Sequence, residues 1–184
     1  MSSSYKTIYL GLLLIALDFY LFSFNVFPDF LGFVMISKGL SELSSEEGYF
    51  YKAKKLAKLM IGITLVQYII SMFIGGNEIN FMPLGIVYFT INNLINIITL
   101  IVIYNILKGI YLEAENKGLI GFISKIKNVW NFKLVVSLIT FLACAFIINS
   151  GEFTLIIMTI VAITGIIATI RVALVVKEAG KELS

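Results

Sequence analysis

The chain has 184 residues, of which 59% are hydrophobic and only 14% charged, with a mean hydropathy of +0.98. Soluble domains average about 45–50% apolar and about 25% charged residues, and disorder requires low hydrophobicity with high charge, so both classes are excluded in favour of a polytopic membrane protein. The net charge is +3, there is no His and there is one Cys, Cys144, which removes imidazole bases, His or Cys zinc sites and internal disulfides.

The expected fold is all-α, an integral membrane bundle of six transmembrane helices forming one domain over residues 1–184. Each span uses about 20 apolar residues, six use roughly 120, and what is left is too little for a separate catalytic domain. The first apolar run, residues 7–27, exceeds the apolar core of a signal peptide and is read as a retained span. The start Met-Ser does not indicate N-myristoylation. Phe27-Pro28-Asp29-Phe30 follows. Pro28 suits a first helical position, and Asp29 suits the positive end of the helix dipole. The second helix, 29–43, has a short apolar part interrupted by Ser37 and Lys38. A full span with a wet cytoplasmic end is favoured over a re-entrant helix.

Lys52, Lys54, Lys55 and Lys58 lead into the third span, 56–74, and Pro83 opens the fourth, 81–108. Residues 119–130 place Leu119, Phe122, Ile123, Ile126 and Trp130 on one face, the pattern of a short amphipathic helix in the headgroup region. The fifth and sixth spans are 132–148 and 153–177. Under this layout the outer turns hold Asp29, Glu78 and Glu152 and no basic residue, while every Lys and Arg falls on the other side. Basic residues collect on the cytoplasmic face, so both termini are expected inside a bacterial inner membrane. The layout is compatible with three helical hairpins. The returning helices end in Lys38-Gly39, Lys108-Gly109 and Lys177-Glu-Ala-Gly180, which reads either as an internal repeat or as ordinary C-capping beside a favourable charge.

Polarity is expensive inside a bilayer and marks candidate sites. Asp18 falls near the middle of the first span, where an Asp costs about 2.5–3.5 kcal/mol on insertion scales. Gln67, Asn92, Asn93, Asn96, Thr140 and Thr164 fall at similar depth and form with it a candidate midplane layer; Thr64, Gln67 and Ser71 make one polar stripe. Three readings stay open: interhelical glue, a site for a polar solute or protons, or faces occupied by a partner subunit. Arg171 can snorkel to the surface, or pair with Asp18 if the first and sixth spans touch at matching depth. Gly165, Thr169 and Ala173 recur every four residues, which permits close helix approach, and Cys144 reads as a small buried apolar residue.

No nucleophile elbow, zinc-protease motif, phosphate-binding loop or pair of carboxylates at one depth occurs, so an enzyme is not favoured and no cofactor or metal is expected. The basic cluster Lys52, Lys54, Lys55 and Lys58 lies at the bilayer and should attract anionic lipid on the cytoplasmic face, not nucleic acid. A membrane protein partner or a homo-oligomer stays open.

Asp18, then Pro28-Asp29-Phe30-Leu31-Gly32 and Lys38-Gly39-Leu40, resemble uncharacterised small multi-pass bacterial membrane proteins. Those carry an Asp in the first span and a Pro-Asp-Phe-Leu/Ile-Gly turn opening the second. The resemblance covers residues 8–43 and brings no activity; it singles out Asp18, Pro28, Asp29 and Gly32. In size and helix number the chain is also similar to substrate-binding subunits of energy-coupling-factor vitamin importers. Those present small residues four apart on their first helix, whereas Gly11 and Ala16 here are five apart. The reading that follows is a membrane protein that binds or transports a polar or ionic solute, or protons, through the layer around Asp18. The alternative is an accessory, immunity or assembly subunit.

Overall fold

The computed structural model describes residues 2–17, 20–21, 24–25, 28–44, 46–74, 82–147 and 154–183. Six helices account for nearly all of them: α1 (Ser3–Ala16), α2 (Asp29–Leu43), α3 (Tyr49–Ile74), α4 (Met82–Asn116), α5 (Ile120–Ile147) and α6 (Thr154–Glu182). Between α1 and α2 a minimal antiparallel pairing joins Tyr20 to Asn25 and Leu21 to Phe24. Each helix packs on the next, α6 returns to α1, and α4 reaches α6. The result is a ring of helices in chain order.

Contacts fix which helix ends lie together. Ser2 N–H donates to the Gly180 carbonyl at 3.1 Å. The Ser4 hydroxyl donates to Glu42 at 2.6 Å, and the Tyr5 hydroxyl to Glu113 at 2.6 Å. Lys117 Nζ donates to the Leu183 carbonyl at 2.7 Å, and Lys125 pairs with Glu178. The start of α1 and the ends of α2, α4 and α6 therefore share one end of the bundle. Burial first, then the hydrogen bond and charge of Glu113, push the Tyr5 phenol well above its ordinary pKa.

The fully buried side chains gather at this same end, among them Ile8, Leu12, Phe33, Ile36, Leu40, Met60, Ile106 and Val172. Toward the other end apolar side chains face outward. Val135, Leu138, Ile139 and Leu142 on α5 are more than half exposed, as are Ile156, Ile160 and Ile163 on α6. Contiguous apolar stripes of this length fit a hydrocarbon surrounding, not water. Among the described residues three segments, Thr90–Asn116, Ile120–Ala143 and Thr159–Glu182, are long and apolar enough to cross a membrane, and α1 is a shorter apolar helix.

The closest helix pair is α1 with α2, joined through glycine. A Cβ built on Gly11 would sit 2.6 Å from the Gly32 carbonyl oxygen, and one on Gly32 would sit 2.8 Å from that of Gly11. A Cβ on Gly39 would meet the Ser4 carbonyl at 2.6 Å. Ser4 and Gly11, and Gly32 and Gly39, are each seven residues apart. Two antiparallel helices thus touch backbone to backbone at two successive levels, with Ile8, Ile15 and Ile36 filling the spaces beside them.

Several boundaries differ from those read in the sequence. The first helix closes at Ala16 and does not run through 7–27; Tyr20–Leu21 and Phe24–Asn25 are extended, and the aromatic Tyr20 and Phe24 favour that backbone over helix. Pro28 precedes α2 and does not occupy its first turn. The segment 119–130 is no separate interfacial helix. It forms the first half of α5, because neither Gly nor Pro occurs between Phe122 and Ile147, and its apolar face (Phe122, Ile126, Val129) packs into the core. The basic cluster of residues 52–58 is already helical in α3.

The Lys-Gly pairs are not helix ends. Gly39 and Gly109 lie inside helices, Gly39 against Ile8 and Gly109 beneath the Phe50 ring. The glycine that ends α4 is Gly118, with φ of +69°. There Leu119 N–H bonds the Ala114 carbonyl and Gly118 N–H that of Glu115, both at 3.0 Å, which is a Schellman closure.

Candidate functional site

The predicted midplane layer divides into separate groups. Gln67 on α3 donates from Nε2 to Asn92 Oδ1 on α4 at 2.8 Å, an interhelical bond of the glue type. Thr164 returns its hydroxyl to its own helix, at 2.9 Å from the Ile160 carbonyl. Asn93 is half-buried on α4. Asp18 lies outside the described residues, and α1 closes two residues before it. Although α1 and α6 do pack together, the described contact of Arg171 is with α5, where its guanidinium stands 4.8 Å from the Phe132 ring centre. The side chains of Ser71 and Cys144 are likewise outside the described residues.

Asn96 and Thr140, by contrast, come together. They line a cavity of about 60 Å³ between α4 and α5 with Thr99, Leu100, Lys133, Ser137 and Phe141. A water needs roughly 10–15 Å³ of such volume, so the cavity has room for a few waters or one small solute. Its polar lining follows helical spacing from both sides, Asn96 and Thr99 on α4 and Lys133, Ser137 and Thr140 on α5. The surrounding surface of α5 is apolar, with Lys133, Ser137 and Thr140 half-buried, while Asn96 on α4 stands exposed at the cavity's edge.

Lys133 supplies the charge. Its Nζ donates to Thr169 Oγ1 on α6 at 3.0 Å, and Thr169 donates in turn to the Gly165 carbonyl at 3.0 Å. One of three ammonium donors is thereby fixed and two remain for the cavity. The Thr99 and Thr140 hydroxyls donate to the Ile95 and Val136 carbonyls, each at 2.8 Å, which leaves their oxygens as acceptors. Among the described residues no carboxylate lines the cavity. A half-buried cation with free donors, an amide and hydroxyl oxygens suits a small anion or a neutral polar solute with acceptor groups.

Sequence reasoning placed Lys133 among the surface lysines that flank a span. The signal that could have found it was its spacing: Lys133, Ser137 and Thr140 repeat at i, i+4 and i+7, in register with the polar stripe of α4. Thr169 was seen only as part of a small-residue stripe, and in the structure it anchors the Lys133 ammonium.

The motif preceding α2 has a packing role. Gly32 is the contact point for Gly11, Pro28 is buried, and Asp29 sits in the first turn of α2. Of the basic cluster, Lys52 lies 5.3 Å from the Tyr49 ring centre and Lys55 4.5 Å from that of Tyr51, while Lys54 is half-buried and Lys58 exposed. No protein-family model, curated protein or solved structure matches the chain.

Proposed function

We propose that the chain is a six-span bacterial inner-membrane protein, with both termini cytoplasmic, that binds a small polar or anionic solute between α4 and α5 and passes it across the bilayer. The observation that carries this reading is the polar cavity at Lys133, built from Asn96, Thr99, Ser137 and Thr140 within apolar helices. Polar groups at such positions are costly to insert and are retained where they serve a pathway or a binding site. Two features support the orientation. The basic residues other than Lys133 and Arg171 gather on helix segments at the end of the bundle where α1 starts, and the exposed apolar stripes lie toward the other end. Asp18 remains in this reading as a proton-carrying group.

The test is flux through purified protein in vesicles, with chloride, formate, acetate and glycerol as probes. At least one probe should move faster than in empty vesicles. Lys133→Met should abolish the anion component, and Asn96→Leu should reduce it, with both proteins inserted normally. Wild-type flux equal to that of empty vesicles for all four probes, or flux indifferent to Lys133→Met, contradicts the proposal.

The second reading, an accessory or assembly subunit, draws on the isoleucine stripe of α6, Ile156, Ile160, Ile163 and Ile167, which a partner helix could cover as well as lipid. Loss of a copurifying membrane protein on substituting that stripe, with no vesicle flux, would favour it.

A further inference from the structure

A second cavity lies along the same α4–α5 seam, its lining beginning one turn nearer the end of the bundle where the lysines gather. It measures about 220 Å³ and is lined by Tyr104, Leu107, Lys108, Tyr111, Ile126, Lys127 and Trp130. Its floor is apolar, since Leu107 and Ile126 are almost fully buried. Its rim is aromatic, with the Tyr104 and Trp130 rings 5.1 Å apart and tilted by 55°. Two ammonium groups stand over one phenol ring, Lys108 at 4.3 Å and Lys127 at 5.4 Å from the Tyr111 centre. Glu115, one turn further along α4, accepts from the Tyr111 hydroxyl at 3.2 Å. Among the described residues neither Lys108 nor Lys127 has an ion pair, whereas nearby Lys125 pairs with Glu178.

Two like charges held at one ring, without a carboxylate bonded to either, favour an anion between them. The aromatic rim excludes a fully hydrated ion and favours one that brings apolar surface with it. On α4 the cavity continues into an exposed apolar stripe, Ile97, Ile101 and Tyr104, spaced to lie on one face toward the lipid-facing end. Tyr and Trp at this level match their preferred depth at the headgroup boundary.

We propose that this cleft is a discrete site for an anionic phospholipid, its phosphate between Lys108 and Lys127 and an acyl chain along Ile101 and Ile97. The site differs from diffuse attraction to the Lys52–Lys58 cluster in geometry, because it holds one headgroup in one place. It is independent of solute passage at Lys133.

Trp130 is the single Trp of the chain, so its fluorescence reports this cleft alone. The experiment reconstitutes the full chain in phosphatidylcholine vesicles containing a small fraction of phosphatidylglycerol, with brominated acyl chains on one lipid or the other. Brominated phosphatidylglycerol should quench Trp130 at a mole fraction roughly tenfold lower than brominated phosphatidylcholine requires. Lys108→Gln with Lys127→Gln should remove that preference and leave phosphatidylcholine quenching unchanged, which also reports correct insertion. Lys52→Gln with Lys55→Gln should leave the preference intact. Equal quenching by the two lipids, or a preference that survives in the Lys108/Lys127 double variant, overturns the proposal. So does inorganic phosphate that displaces phosphatidylglycerol from the wild type at millimolar concentration, which would assign the cleft to a soluble anion.

Discussion

Replacing Gly11 by Ala places a methyl group 2.6 Å from the Gly32 carbonyl oxygen and 2.8 Å from Ile36 Cγ1. Carbon and carbonyl oxygen ordinarily approach no closer than about 3.3–3.6 Å, so the α1 and α2 backbones must separate by most of an ångström. Neither side of the contact is a flexible side-chain end; the oxygen belongs to a helix backbone. Overpacking of this kind costs about 1–3 kcal/mol. Ala also gains about 1 kcal/mol over Gly in a helix interior, which hides part of the loss. Gly62→Ala supplies the control, because a Cβ there meets nothing within 4 Å and only the helix gain remains. The difference between the two variants isolates packing. In thermal melts followed by circular dichroism in detergent, Gly11→Ala should melt roughly 2–12 °C below Gly62→Ala, at about 2–4 °C per kcal/mol for a chain of this size. Gly32→Ala and Gly39→Ala should follow Gly11→Ala. Equal stabilisation by Gly11→Ala and Gly62→Ala would refute the backbone-to-backbone contact.

Tyr5→Phe removes the hydrogen bond to Glu113 and should cost about 1.5–3 kcal/mol in the same melts, as bonds to charged groups do. The raised phenol pKa means that this contribution is fully present below the unfolded tyrosine value near 10 and declines as pH rises beyond it. The penalty of Tyr5→Phe should therefore be constant from about pH 6 to 9 and shrink above 10, and ultraviolet titration should show one phenol fewer resisting ionisation in the variant. Gln67→Leu should change stability by less than about 1 kcal/mol, because interhelical amide bonds in membranes average about 0.6 kcal/mol. A loss of several kcal/mol there would show that the Gln67–Asn92 pair is more than glue.

Composition and periodicity made the helical class legible, along with the extent of α2, since these depend on local patterns within a few turns; the turns read at 75–80 and 149–152 lie outside the described residues. What escaped depends on partners distant in sequence. Gly39 and Gly109 each follow a Lys, and alone such a pair reads as a helix end. Only Ile8 and Phe50, brought from other helices, show why a side chain is missing there. The face of residues 119–130 is amphipathic whether it meets headgroups or a protein core, so its periodicity could not separate the two. The layer around Asp18 was inferred from depth alone. Asn96 and Thr140 both line the cavity, whereas Gln67 bonds Asn92 one turn away along α4, and Lys133, counted as a surface flank, supplies the charge.

The central claim is that the Lys133 cavity is a hydrated, anion-favouring site within the membrane. In a Cys144→Ala background, Thr140→Cys should react with small methanethiosulfonate reagents, the sulfonate-bearing one faster than the trimethylammonium one. Lys133→Met should erase that charge preference, and Ile139→Cys on the exposed apolar face of α5 should stay unreactive. Reaction at Thr140→Cys no faster than at Ile139→Cys, or a charge preference unchanged by Lys133→Met, would contradict the account.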